Sequence, residues 1–412
     1  MKNGWHRKTL ADVCQIKPPK SEARDRVAPD ALVSFAPMED LGIDRKFLNA
    51  TQTKELSSVV GSYTYFADGD VLLAKITPCF QNGKLGISSD LSNGIGFGSS
   101  EFIVFRPNGN VDNEYLYYYL SRESFRREGV KRMGGAVGQQ RVPKEFIESY
   151  PIPLPTLPEQ RRIVGILDEA FDCIATTKAN AEKNIQNARA LFESHLQSVF
   201  AERGEEWDRL TLATLLERGW IDSHLDGNHG GDYPRKHEFI SEGIPYISAN
   251  CLDDERIDMT KAKYLSPDRA ALLRKGIAKD GDVLFAHNAT VGPVAILRTD
   301  EAKVILGTSL TYYRCNRQHI LPEYLAHYMR SFGFKVQYLQ VMRQSTRNQV
   351  PITKQREFFH VIPPVDEQQA IIRQLDGLFD NGRRLASIYH RKLAALDELK
   401  KSLLHQAFSG QL

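Results

Sequence analysis

Hydrophobic and polar positions along this chain follow two periods in turn, and the whole succession then occurs a second time. In DGDVLLAKIT (Asp68 to Thr77) and FGSSEFIVFRP (Phe97 to Pro107) the apolar residues alternate in short runs closed by glycine turns, which predicts strands. Further on, Ile163, Leu167, Ala170, Ile174, Thr177, Ala181, Ala188, Leu196 and Val199 recur at close to 3.5-residue spacing, which predicts one long helix with a heptad-like stripe. DGDVLFAHNA (Asp280 to Ala289) and LGTSLTYYRCN (Leu306 to Asn316) repeat the strands. Ile371, Leu375, Leu378, Leu385, Tyr389, Leu396, Leu399 and Leu403 repeat the stripe. Three more pairs keep the same order: WHRKTLADV with WDRLTLATL, NEYLYYYLSRESF with PEYLAHYMRSFGF, and QRVPKEF with NQVPITK. PTLPEQRRIVGILDEAF and PPVDEQQAIIRQLDGLF, whose glutamines Gln160 and Gln368 lie 208 residues apart, complete a tandem duplication.

The duplication predicts an α+β chain of four segments: a mixed, strand-rich domain over 1–158, a long helix over 159–201, a second mixed domain over 202–366 and a second long helix over 367–412. The proline-rich approaches PIPLPTLPEQ and IPPVDEQQ are expected to stay outside the helices, and Glu159 or Asp366 and Glu367 suit a helix N-terminus. A rod of roughly 63 Å with one narrow apolar seam is unstable alone, so each helix needs a partner. The nearest partner is its own repeat. The expectation is an antiparallel coiled coil with pseudo-two-fold symmetry and a globular domain at each end; two independent bundles, or a helix pair that only spaces the domains, are the alternative.

Composition narrows the class. With 412 residues, 42% hydrophobic and 25% charged, the chain can bury sizeable cores. It has no apolar run long enough for a membrane span and no signal-peptide pattern at the start, so a soluble protein of the cytoplasm is expected. Five scattered cysteines without CxxC spacing are expected to be free thiols. The net charge of +3 is mild, so any basic surface must be local.

Such surfaces are visible at matched places. Between Arg122 and Lys144 seven basic residues meet only Glu123 and Glu128, and from Arg330 to Arg356 six basic residues meet no acid. The loops GGAVGQQR and RQSTRNQ add amides and small residues. Lysine and arginine neutralise phosphates, glutamine and asparagine can bond base edges, and glycine lets backbone approach a duplex. The candidates for nucleic-acid contact are therefore Arg126, Lys131, Arg132, Gln139, Gln140, Arg141 and Lys144 in the first repeat, and Lys335, Arg343, Gln344, Arg347, Asn348, Gln349 and Lys354 in the second. One such run is ordinarily a solvated helix face; its recurrence favours a binding role.

Catalytic motifs are sparse. Asp268 followed by Glu301 and Lys303 could hold Mg²⁺ as in a nuclease, but the gap is long and the pattern is not repeated in the first half. IDSHLDGNHGGDYPRKH (Ile221 to His237) has no helical zinc spacing and reads as a structured turn or a DNA-facing loop. No metal site and no catalytic residue is expected. A scaffold without a DNA role is a further alternative.

LLAKITPCFQNGKLG (Leu72 to Gly86) with GFGSSEFIVFRPNG, and LDGNHGGDYPRKHEFISEGIPYISA (Leu225 to Ala249), resemble two types of target recognition domain of the DNA specificity subunit of type I restriction-modification systems. PLPTLPEQRRIVGILD and IPPVDEQQAIIRQLD resemble that family's entries into its two long helices, and FSGQL its ending. The resemblance spans nearly the whole chain. It implies a non-catalytic subunit whose two target recognition domains each read half of a bipartite double-stranded DNA target, with the helices fixing the unread spacer. It adds Lys75 and His229 to the candidates, and it implies methyltransferase subunits binding S-adenosylmethionine and an ATP- and Mg²⁺-dependent restriction subunit as partners, with no cofactor in this chain. Gln140-Arg141-Val142 and Asn348-Gln349-Val350 differ in their polar residues, and the second half lacks the ITPC and NGK residues of the first, so the two domains are expected to read different sequences.

Overall fold

The computed structural model describes residues 5–412 except 137, 202, 203, 205, 229–232, 254, 255 and 345–347. The chain falls into two compact units, Met1–Ala181 with His390–Leu412, and Glu182–Tyr389, so each long helix is divided between them.

In unit one a four-stranded antiparallel sheet runs in the order Cys14–Ile16, Phe102–Pro107, Val71–Ala74, Leu85–Ile87. A second sheet, Gln52–Glu55, Leu32–Ala36, Ile95–Gly98, Thr64–Ala67, contains one parallel pair. Unit two repeats both. Ile221–Asp226, Leu310–Cys315, Val283–Asn288 and Thr290–Ile296 form the first sheet, and Ile244–Ile247 pairs in parallel with Val304–Leu306 in the second.

The repeated DGD turn has a structural cause. Gly69 and Gly281 take φ of 85° and 84°, where a Cβ would be strained. The aspartate that follows is buried: Asp70 accepts the Ala67 N–H at 2.8 Å and a bidentate pair from Arg106, both bonds 2.8 Å. Asp282 does the same with the Lys279 N–H at 2.8 Å and Arg314 at 2.9 and 2.7 Å. Burial pushes the Asp70 carboxyl up even so, against the pull of Arg106. These pairs also correct the repeat alignment. Val71 lies opposite Phe105 and Val283 opposite Tyr313, so Arg106 corresponds to Arg314, and the end-to-end match of FGSSEFIVFRP with LGTSLTYYRCN slides by one residue. The Lys75 N–H donates to the Glu101 carbonyl and the His287 N–H to the Ser309 carbonyl, both at 2.9 Å, which makes Ser309 the counterpart of Glu101.

Each mixed domain is bolted to a long helix by the same bonds. Gln160, fully buried, accepts the Asp112 N–H at 2.7 Å and donates to the carbonyls of Asn110 (3.0 Å) and Pro155 (2.9 Å). Gln368, also fully buried, accepts the Leu321 N–H at 2.8 Å and donates to the carbonyls of His319 (2.7 Å) and Pro363 (2.8 Å). Two tyrosine hydroxyls in each unit donate to the strand before the helix: Tyr115 to Pro153 (2.9 Å) and Tyr119 to Pro151 in Pro151–Leu154, and Tyr324 to Val361 (2.7 Å) and Tyr328 to Phe359 (2.9 Å) in Phe359–Ile362. One helix turn on from Tyr115 and Tyr324, Tyr118 bonds Asp168 in unit one, and His327 bonds Asp376 at 2.8 Å in unit two. The apolar cores extend the joint: Tyr115, Phe125 and Ile147 cluster with Ile163, Leu167, Leu404 and Phe408, and Phe285, Tyr313 and Phe334 with Leu196, Ile371 and Leu375.

The long helices run over Leu157–Ala201 and Val365–Ser409, 45 residues each, or about 68 Å. Each starts two residues before the predicted boundary. First-turn N–H groups have no intrahelical partner anyway, so Pro158 is tolerated there. Within unit one Lys178 pairs with Asp397, and the Lys400 ammonium lies 5.3 Å from the Phe171 ring. Within unit two Asn184 donates to Tyr389 at 2.9 Å, Phe192 meets Phe379 at 5.4 Å and Gln374 donates to His195 at 2.7 Å. As the numbers rise along one helix they fall along the other, so the pairing in each unit is antiparallel. The second stripe needs correction: Leu385 and Leu399 are 39% and 45% exposed. The half-buried seam keeps Tyr389 and Leu396 of the predicted stripe and adds Gly382, Ala386 and Leu393, while Ile185 and Phe192 join it on the first helix. All five cysteines are free, with Cys14 and Cys251 buried. Among the described residues no helix is long and apolar enough to cross a membrane.

Candidate nucleic-acid interface

The two basic, amide-rich segments are held by an identical main-chain clamp. In unit one, residues 75–77, past the end of the strand Val71–Ala74, run antiparallel to residues 140–142. The Val142 N–H donates to the Lys75 carbonyl at 3.0 Å and the Thr77 N–H to the Gln140 carbonyl at 2.9 Å, with Ile76 opposite Arg141. In unit two the Val350 N–H donates to the His287 carbonyl at 2.8 Å and the Ala289 N–H to the Asn348 carbonyl at 3.0 Å, with Asn288 opposite Gln349. The frame is made of backbone groups alone, so its side chains can differ.

In unit one the clamp gathers cations. The Lys75 ammonium donates to the Ser100 carbonyl at 2.9 Å; burial first, then the charges of Lys17 and Arg141, pull it below the ordinary lysine range against the attraction of Glu101. Arg141 is gripped by Glu101 at 2.9 and 2.8 Å and donates to the Gln139 carbonyl at 3.0 Å. The side chain of Gln139 is exposed, while the Gln140 N–H donates to the Thr77 hydroxyl at 3.0 Å. Lys131 and Arg132 are exposed just after the helix Glu123–Val130 and have no ion pair among the described residues. Arg126 caps its own neighbourhood through the Ser121 carbonyl (2.8 Å) and lies over Gly83, where an added Cβ would come within 2.8 Å of it. Lys144 is paired with Glu148 at 2.9 Å on an exposed face.

Sequence reasoning missed Lys17, Lys20 and Arg24. Burial first, then Lys17 and Arg24, pull the Lys20 ammonium down, so these three continue the basic surface from Lys75. A linear charge count hides them because Glu22 stands among them. In the fold Glu22 pairs with Arg106, which it shares with Asp70.

In unit two Lys335 and Arg343 are exposed on the helix Phe332–Arg343, and Gln344 follows it, also exposed. Asn348 spends its amide on the Ala289 carbonyl at 2.5 Å, Gln349 is half-buried opposite Asn288, and Lys354 is paired with Glu357 at 2.9 Å. His229 and Arg347 lie outside the described residues. Behind the clamp, the buried Gln355 donates to the Val350 carbonyl at 3.2 Å and accepts from His224 (3.1 Å), Thr311 (3.0 Å) and Tyr313 (3.1 Å). His287 Nδ1 donates to the same carbonyl at 3.0 Å. Burial pushes the imidazole of His224 down to about 3 and that of His360 down to about 4, so both are neutral near pH 7. A cavity of about 500 Å³ lies apart from the clamp in unit two, lined by Arg256, Arg298, Glu323, His327, Asp376 and Arg383 among others.

The family described as "Type I restriction modification DNA specificity domain" matches residues 2–187 and 224–388. The chain is 38% identical over 215 residues to the type I restriction enzyme EcoAI specificity subunit of Escherichia coli, a match covering 51% of this chain and 36% of that one. It is 33% identical to the EcoEI specificity subunit of the same organism over 50% of this chain and 35% of that one. The chain thus matches only about a third of the length of these relatives. The HsdS subunit from Thermoanaerobacter tengcongensis superposes with a TM-score of 0.64 at 19% identity, over 100% of this chain and 98% of that one. A chain solved in work on complex assembly and conformational transition of the type I R-M system superposes with a TM-score of 0.80 at 19% identity, over 100% and 99%. Nothing in these likenesses supports the nuclease alternative. Asp268 is exposed in the first turn of Pro267–Ala271, and Glu301 is exposed in a turn whose N–H donates to Thr299 at 3.1 Å.

Proposed function

Because the chain belongs to the type I restriction modification DNA specificity domain family, we propose that it is the DNA-reading subunit of such a system, each unit reading one half of a bipartite duplex target. The observation that carries this reading is the clamp, one backbone frame used twice with different polar residues mounted on it. In unit one Lys17, Lys75, Lys131 and Arg132 neutralise phosphates, helped by Lys20, Arg24, Arg126 and Lys144, and Gln139 and Gln140 face base edges. In unit two Lys335, Arg343 and Lys354 take the phosphates, and Gln344 and Gln349 the bases. Arg347 and His229 are assigned to the same surface by sequence position. Arg141 and Asn348, already engaged with Glu101 and Ala289, shape their loops.

The chain performs no chemistry in this reading. Methyltransferase subunits carrying S-adenosylmethionine dock on the exposed faces of the long helices and flip the target adenine from its stack. A restriction subunit using ATP and Mg²⁺ joins through them, in the cytoplasm. Two measurements test the proposal. Binding of target duplex by the complex should weaken steeply with salt, by about 0.9 in log K per log unit of salt for each phosphate neutralised. Mapping of methylated adenines in the host should give a bipartite motif whose halves change separately when one unit is exchanged. Binding indifferent to salt, or a motif of one continuous block, defeats it.

A further inference from the structure

Glu101 is an acid set within a basic surface. Its carboxylate accepts both bonds of the Arg141 guanidinium, 2.9 Å from Nε and 2.8 Å from Nη2, and the remaining Nη1 donates to the Gln139 carbonyl at 3.0 Å. Hydrogen bonding to Arg141 first, and then the charge of Lys75, hold the Glu101 carboxyl below the usual range, so the acid stays ionised. On a surface that only attracted phosphate this charge would be counterproductive, because it cancels Arg141 and opposes Lys75. A bidentate arginine–carboxylate pair instead fixes geometry. Arg141, held at both ends, becomes a strut from the start of the strand Phe102–Pro107 to the loop that carries the exposed amide of Gln139. The same loop is tied once more where the Gln140 N–H meets the Thr77 hydroxyl.

We infer that Glu101 is a positioning residue for sequence reading in unit one: through Arg141 it orients Gln139 and Gln140, and so sets the specificity of one half-site only. Among the described residues unit two has no such strut. Ser309 stands at the corresponding place and its hydroxyl accepts the Ala249 N–H at 2.8 Å, while Gln349 replaces Arg141 and the clamp is braced from behind by Gln355 and His287. The inference rests on the proposal that both units read DNA.

The test is selection from a pool of randomised duplexes by the full chain in its methyltransferase complex, comparing the parent with Glu101→Gln, Glu101→Ala and Glu101→Asp. The expected result is that one half of the selected motif relaxes in the Gln and Ala variants, accepting two or more bases where the parent accepts one. The other half should stay as it was, and Glu101→Asp, which keeps the charge, should recover part of the lost selectivity. A parental motif in Glu101→Ala, or equal relaxation of both halves, overturns the inference. Should Glu101→Ala fail to fold, the near-isosteric Glu101→Gln decides between the same two results. A parent complex that selects no bipartite sequence instead overturns the DNA-reading proposal, and this inference with it.

Discussion

Gln160 and Gln368 belong to the plainest repeat in the sequence, and what they repeat is a set of buried hydrogen bonds. Each side chain satisfies one N–H and two carbonyls. Gln160→Leu should fill the same space yet leave those three groups unpaired, at a cost of about 3 kcal/mol. Urea unfolding should show it as a lower midpoint for unit one, with Gln368→Leu doing the same in unit two; unchanged midpoints would mean that water replaces the amide. The repeat was legible, but the bond partners were not, because Asn110 and Asp112 are about fifty residues away along the chain. Separation along the chain, here 36 residues, likewise hid the Asp70–Arg106 pair behind the conspicuous DGD turn. Lys75 and Arg141 were legible as candidates from charge and resemblance. Lys17 was not, since its proximity to Lys75 arises only in the fold.

At the scale of elements, periodicity found both long helices and misplaced part of one seam. Leu385 and Leu399 are apolar at nearly the right interval, but an α-helix drifts about 20° per heptad against a strict seven-residue repeat, and the partner helix selects the neighbouring Ala386 and Leu393. Periodicity also says nothing of what lies behind a strand. In unit two the answer is imidazole: His224, His287, His327 and His360 are all buried, whereas no buried histidine occurs among the described residues of unit one. The ordinary imidazole value of 6.5 is pushed down to about 4 in His360 and about 3 in His224. Between pH 6.5 and about 4 the unfolded chain therefore binds more protons than the folded one, so the stability of unit two falls as pH falls through that window and is level above it. The urea midpoint of unit two should drop over this range before that of unit one. His360→Phe, surrounded by Tyr313, Tyr328 and Phe334, should flatten the drop; an equal slope in both units would refute the assignment.

For the whole molecule, the tandem duplication was the strongest signal in the sequence, since each repeated element recurs in order with only a one-residue slip before the strand Leu310–Cys315. Both long helices are shared by the two units. If their length sets the unread gap in the target, one extra heptad in each adds about 10 Å, or about three base-pair steps of 3.4 Å. The methylated motif should then keep both halves and lengthen only between them; the original gap would show that something else fixes it. The clamp has a different kind of consequence. Its bonds run from main chain to main chain, so Gln140, Arg141, Asn348 and Gln349 can be replaced without removing the hydrogen bonds that close it. Inheritance can therefore experiment at these positions while the protein goes on folding, and, on the DNA-reading proposal, a lineage can acquire a new address one half at a time.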